Sequence, residues 1–190
     1  TFPAARYIWW APAPAIPIGR LRTDLVFEQV DVATFLERLG WANPPYKGNA
    51  SGGLVVALRG ELGAGKTVFV RGLAKGLLGP DAAVVTSPTY VLLHVYQCGA
   101  RTLYHIDLYR MQGGAGEFEG SGLAECLADP RGVVCVEWPE RAEAVLPADR
   151  LEVELEHAGE GRRTLHVLAT GSRSGQSVDA MRKAAGTRQQ

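Results

Sequence analysis

The chain has little cysteine: three residues in 190, Cys98, Cys126 and Cys135. None of them forms the C-x-x-C pair of a zinc or redox site, and three thiols make no disulfide framework. They imply reduced thiols, hence a cytoplasmic protein. Long apolar runs are missing too. No stretch reaches the roughly 20 residues that cross a bilayer, so no membrane role is expected. Charge of one sign is absent as well, since 20 Lys and Arg balance 20 Asp and Glu. That balance leaves no net field to draw the chain onto nucleic acid or anionic lipid, although a local patch or a partner can still supply an RNA contact. What remains is an ordinary globular composition, 46% apolar and 21% charged. It is long enough for one domain with a substantial core.

Residues 1–23 are rich in Pro and Ala and read as an irregular extension. Pro12, Pro14 and Pro17 interrupt the apolar stretch from Tyr7 to Ile18 and argue against a signal-peptide helix there. Residues 24–170 read as one α/β domain. Residues 171–190 are polar, with Gly and Ser and little periodicity apart from Val178 and Met181, and read as a disordered tail.

Within the domain, Leu25–Phe27 suits a short edge strand, and the spacing of Val32, Phe35, Leu36 and Leu39 suits a helix. Leu54–Leu58 and Val133–Val136 are short continuous apolar runs rich in Val, the pattern of strands buried on both faces. Between them lie a helix over Lys66–Leu78, a short strand at Val84–Val85 and strand-like segments at Val91–Tyr96 and Thr102–Ile106. Gly99 supplies a hairpin turn between the last two. Gly113–Gly116 reads as a flexible break, Leu123–Leu127 as a short helix, and Pro139 as the first turn of another. Leu151, Val153 and Leu155 alternate with glutamates and pair through a Gly-containing turn with Leu165, Val167 and Ala169.

The sharpest motif is Gly60-Glu61-Leu62-Gly63-Ala64-Gly65-Lys66-Thr67. A triphosphate concentrates negative charge, so its site needs donors that approach without a side chain in the way. Gly60, Gly63 and Gly65 let the backbone curl until successive N–H groups point inward. The helix that follows adds its positive N-terminal end. Lys66 reaches the β and γ phosphates, and the Thr67 hydroxyl is placed to ligate Mg2+. An apolar strand just before the loop and an amphipathic helix just after it are the context the motif requires. Gly60, Gly63, Ala64, Gly65, Lys66, Thr67 and Val68 are therefore the expected contacts of a nucleoside triphosphate held with Mg2+.

Such a site takes an acidic group from the end of another strand. Two carboxylates qualify: Glu137, after Val133–Val136, and Asp107, after Thr102–Ile106. His105 and Asp107 alternate on one face, but no further histidines support a metal pair, and packing or hydrogen bonding is the better reading of His105. Ser87-Pro88-Thr89 is an ordinary Pro turn on spacing alone, with the alternative of a loop whose hydroxyls sense the γ-phosphate.

Four segments in this order, Gly60–Thr67, Thr86-Ser-Pro-Thr-Tyr90, Tyr104-His-Ile-Asp-Leu-Tyr-Arg110 and Val136-Glu-Trp-Pro-Glu140, resemble the TsaE family, bacterial ATPases of tRNA threonylcarbamoyladenosine synthesis. Glu117–Leu123 is similar to the segment the family carries before its Glu-Trp strand, and the likeness covers about Val26 to Ala169. It implies a P-loop NTPase-like three-layer fold, with a mixed central sheet and antiparallel additions. It implies Thr67 and Glu137 as magnesium ligands, and Asp107, with Lys66, as the residues that matter for hydrolysis. Ser87 and Thr89 would form a switch-like loop, Trp138 would lie beside the nucleotide, and Glu140 and Arg162 would approach it. The partners it implies are TsaB and TsaD, with tRNA met indirectly through that complex. The chain departs from the family at its two ends, at the Gly-rich Met111–Gly116, and at Glu61, where Asp is commoner.

Two other readings use the same phosphate loop. A small-molecule kinase would need an Arg-rich lid, and Arg162 and Arg163 are isolated. A non-catalytic regulatory nucleotide-binding protein remains open, but a GTP switch would need an Asn/Thr-Lys-x-Asp segment, which the sequence lacks.

Overall fold

The computed structural model describes residues 25–30, 53–78, 85–98, 101–112, 118 and 120–186. The extension over 1–23, the helix expected at Val32–Leu39, the break at Gly113–Gly116 and Val84 lie outside the described residues. Among the described residues no helix is long and apolar enough to cross a membrane.

One seven-stranded sheet organises the chain. Its strands are β1 (Leu25–Val30), β2 (Leu54–Arg59), β3 (Leu93–Cys98), β4 (Arg101–Asp107), β5 (Gly132–Glu137), β6 (Leu151–His157) and β7 (Arg163–Ala169), in spatial order β1-β7-β6-β2-β5-β4-β3. The four central strands are parallel: β6 with β2, β2 with β5, and β5 with β4. Antiparallel strands finish both sides, β3 on β4 and the β7–β1 pair on β6. The fold is thus mixed α/β, as expected. The reason is local: β2 and β5 are apolar on both faces, which suits only strands covered on both sides. The Glu152, Glu154 and Glu156 alternation of β6 marks a strand nearer the edge.

Period-two alternation splits the core into two layers. Leu54, Val56, Leu58, Val133 and Cys135 face helix α1 (Lys66–Leu78), where Phe69, Val70, Leu73 and Ala74 are buried. Val55, Val134 and Val136 face the opposite way, onto Leu123 and Cys126 of α2 (Leu123–Ala128) and onto Ala142 and Leu146. Fully burying each of these Val and Leu side chains contributes about 1.5–3 kcal/mol, so the sheet holds both helices against it.

Three elements differ from the sequence reading. Val85 is buried but not in a strand. Pro139 opens a single 3-10 turn, Pro139–Arg141, rather than a full helix. The stretch read as a disordered tail forms α3 (Ser172–Gly186), while residues 187–190 lie outside the described set. Val178 and Met181 are buried on the α1 side of the sheet, together with Ser174 and Ser177. Asp149 closes the start of the helix by accepting the N–H groups of Arg173 (2.9 Å) and Ser174 (3.0 Å). Two large apolar residues on a largely polar helix give a weak periodic signal. It takes the neighbouring β7 strand to turn them into an anchor.

Candidate functional site

Parallel strands that run side by side end together, so β2, β4 and β5 deliver their C-terminal residues to one edge of the sheet. Open α/β sheets bind ligands at that edge. Asp107 and Glu137 are register partners at the ends of β4 and β5. The Gly60–Gly65 loop leaves β2 beside them and turns into α1. Gly60 has φ 132°, and a Cβ there would stand 2.5 Å from the Leu155 carbonyl oxygen, so only glycine fits the start of the loop.

The Lys66 side chain folds back over this loop. Its ammonium donates to the carbonyl oxygens of Gly60 (2.6 Å) and Glu61 (2.9 Å), and it stands 3.9 Å from the centroid of a Trp138 ring. Burial holds that ammonium below its ordinary pKa, against the opposing pull of Glu137, Asp107 and Glu140. Trp138 covers it from a left-handed backbone conformation, φ 61° and ψ 51°, with the Tyr109 ring 5.1 Å away. A left-handed tryptophan costs about 1–2 kcal/mol, and strain of this kind concentrates at functional sites.

Two carboxylates complete the floor. Glu137 is 4% exposed, and its Oε1 accepts from the Thr67 hydroxyl at 2.8 Å and lies 2.7 Å from His105 Nε2. Asp107, also 4% exposed, accepts at Oδ2 from the hydroxyls of Ser87 and Thr89 and at Oδ1 from the Tyr109 N–H. The Ser87 loop is tied to α1 by Arg71, whose Nε donates to the Val85 carbonyl at 2.6 Å.

These groups surround an open cleft of about 450 Å³. Gly63, Gly65, Lys66, Thr67, Val68, Ser87, Thr89, Asp107, Glu137 and Trp138 line it, which brings together most of the residues the sequence singled out. Gly60 and Ala64 belong to the loop but not to the lining. Glu140 points elsewhere, 3.6 Å from Arg59, and Arg162 is exposed and outside the lining. Its neighbour Arg163 is the one that reaches the loop, donating from Nε to the Ala64 carbonyl (2.7 Å) and from Nη2 to the Gly63 carbonyl (3.2 Å). Leu62, Arg71 and Tyr109 also line the cleft and were missed. Arg71 had a signal, since it lies one helical turn after Thr67 and shares its face. Tyr109 had one too, two residues beyond Asp107 inside an already singled-out segment.

A glycine loop between a parallel strand and a helix, facing carboxylates on the adjacent strand ends, is the arrangement of P-loop nucleotide-binding proteins. Comparison with known proteins narrows the class. Residues 33–165 match the family profile described as threonylcarbamoyl adenosine biosynthesis protein TsaE, and the chain belongs to that family. The Bacillus subtilis protein named tRNA threonylcarbamoyladenosine biosynthesis protein TsaE is 40% identical over 124 residues, 65% of this chain and 75% of its own. The Treponema pallidum protein of the same name is 43% identical over 115 residues, 60% of this chain and 82% of its own. The crystal structure of YdiB from Bacillus subtilis superposes with a TM-score of 0.66 at 30% identity, covering 87% of this chain and 98% of that one.

Proposed function

We propose that this chain is an ATPase of tRNA threonylcarbamoyladenosine biosynthesis. It would bind ATP with Mg2+ in the cleft above Lys66 and Thr67, and hydrolyse it to support turnover of a TsaB–TsaD complex. A role in that biosynthesis follows from membership of the TsaE family. The observation that carries the rest is the convergence of Lys66, Thr67, Asp107 and Glu137, from three separate elements, around one cleft.

Each side chain has a part in this reading. The loop N–H groups and the α1 N-terminus hold the phosphates. Lys66 is already stripped of much of its water, which strengthens its attraction for a γ-phosphate. Thr67 and Glu137 would hold Mg2+, and their shared Oγ1–Oε1 hydrogen bond supports this fit. A hydroxyl and a carboxylate 2.8 Å apart offer hard oxygen donors to a cation that keeps several waters and phosphate oxygens for itself. No group of three His, Cys, Asp or Glu is found among the described residues, and a site of this type needs none. Bound Mg2+ would neutralise charge on the β and γ phosphates. Asp107, oriented by three hydrogen bonds, would position a water and accept its proton. Trp138 and Tyr109 would keep bulk water from that face.

Glu140 and Arg162 are further nucleotide contacts under the family likeness. Reaching the cleft would require each to move from its present place.

The test is ATP hydrolysis by the purified protein, alone and with a matching TsaB–TsaD complex. Stimulation by the complex supports the reading. Tight ATP binding with no stimulation favours a binding module, and ATP-dependent phosphorylation of a metabolite favours a kinase.

A further inference from the structure

Glu137 is held from two sides by one oxygen. Thr67 Oγ1 donates to Oε1 at 2.8 Å, and His105 Nε2 stands 2.7 Å from the same atom. His105 is 0% exposed, and its other ring nitrogen, Nδ1, is the one buried side-chain polar atom among the described residues that lacks a hydrogen bond. An unsatisfied buried polar atom is destabilising, whereas an apolar side chain at this β4 position would leave no such atom. A carboxylate only accepts, so the proton of this contact sits on Nε2. The register sets the pair in place. His105 faces Cys135 on β5, and Asp107 faces Glu137, so one step of the pleat brings the imidazole edge onto the carboxylate.

We propose that His105 is a positioning residue for the magnesium site: its Nε2–H fixes Oε1 of Glu137, so that the carboxylate meets an arriving cation in a single rotamer. The inference rests on the ATP–Mg2+ reading of the cleft. Thr67 Oγ1 can then turn its lone pair to the metal without releasing Glu137, because His105 still holds it. Without the imidazole, Thr67 is the only donor on Glu137 among the described residues, and the carboxylate loses its orientation at the moment the hydroxyl is recruited. Restraint of this kind, by groups that never touch the metal, typically changes metal affinity about 10- to 100-fold.

ATP binding by calorimetry, in EDTA and across a range of Mg2+ concentrations, separates this from a general packing role. In His105→Leu the Mg2+ concentration giving half of the affinity gain should rise about 10-fold, while ATP affinity in EDTA stays within about twofold of wild type. His105→Gln, whose amide N–H can occupy the place of Nε2, should recover most of the loss. In a Glu137→Gln background His105→Leu should add no further shift. A wild-type Mg2+ response in His105→Leu overturns the inference, and so does an equal loss of ATP affinity with and without Mg2+. A wild-type protein whose ATP affinity ignores Mg2+ overturns the metal-site reading itself. A measurement on the unaltered protein guards against a variant that does not fold. Nitrogen resonances of the His105 ring should show a proton on Nε2, and an Nε2 without one overturns the proposal.

Discussion

Arg163 and Ala64 are 99 residues apart in sequence, yet Arg163 Nε donates to the Ala64 carbonyl oxygen at 2.7 Å. A strand outside the parallel core thus grips the phosphate loop from behind. It holds carbonyls outward, which is what an inward-facing row of N–H groups needs. Arg163→Ala should lower ATP affinity about fivefold, from a net hydrogen-bond worth of about 1 kcal/mol. Arg162→Ala should cost less. Calorimetry on the two variants checks this, and equal losses would count against Arg163 as the loop's anchor.

Under the proposed function, Lys66→Ala removes the ammonium that would face the phosphates and leaves the loop N–H groups in place. Two charge-assisted contacts to a triphosphate amount to about 3 kcal/mol, so ATP affinity should fall about 100-fold. Wild-type binding in this variant would place the nucleotide elsewhere.

Asp107→Asn keeps the shape of the side chain but removes its capacity to take a proton. Nucleotide affinity should stay near wild type while turnover falls at least about 100-fold, the usual share of a general base. Single-turnover hydrolysis with the partner complex present would test it. An unchanged rate would shift the role to another group.

Asp149 connects stability to pH. Burial pushes its carboxyl up, but the N–H groups of Ser174 and Arg173 outweigh burial and leave its pKa below the ordinary value. A carboxylate with a lowered folded-state pKa contributes stability above its unfolded value, about pH 4, and loses it as pH falls below that. Asp149→Ala should remove about 1 kcal/mol at neutral pH, the usual worth of a helix cap, and little at pH 2. Urea unfolding at both pH values measures the difference, and hydrogen exchange in α3 should show the local loss.

Much of this arrangement could be read one-dimensionally. The chemistry of the phosphate loop is contiguous, so Gly60–Thr67 carries it with no help from the rest of the chain. Strands β2 and β5 announce themselves because burial on both faces demands unbroken apolar runs. Asp107 and Glu137 were recognisable as acids that follow such strands, although strand position alone did not divide their roles. The choice between Arg162 and Arg163 was not legible, because neighbours on a strand point to opposite faces and a one-residue ambiguity exchanges them. Helix α3 was also hidden. Its buried contacts, Val178 and Met181, are too few to stand out among Gly, Ser and Arg.

The sequence by itself determined that this protein carries a phosphate-loop motif, because such a loop is built from consecutive residues, Gly60 to Thr67. It also determined the family, through four short segments in fixed order. Only the tertiary structure decided which side chains serve that loop: Arg163 behind it, Trp138 over Lys66, Ser87 and Thr89 on Asp107, His105 on Glu137. Those contacts join residues of separate elements, and what brings them together is the pairing order of the sheet and the shared end of its parallel strands.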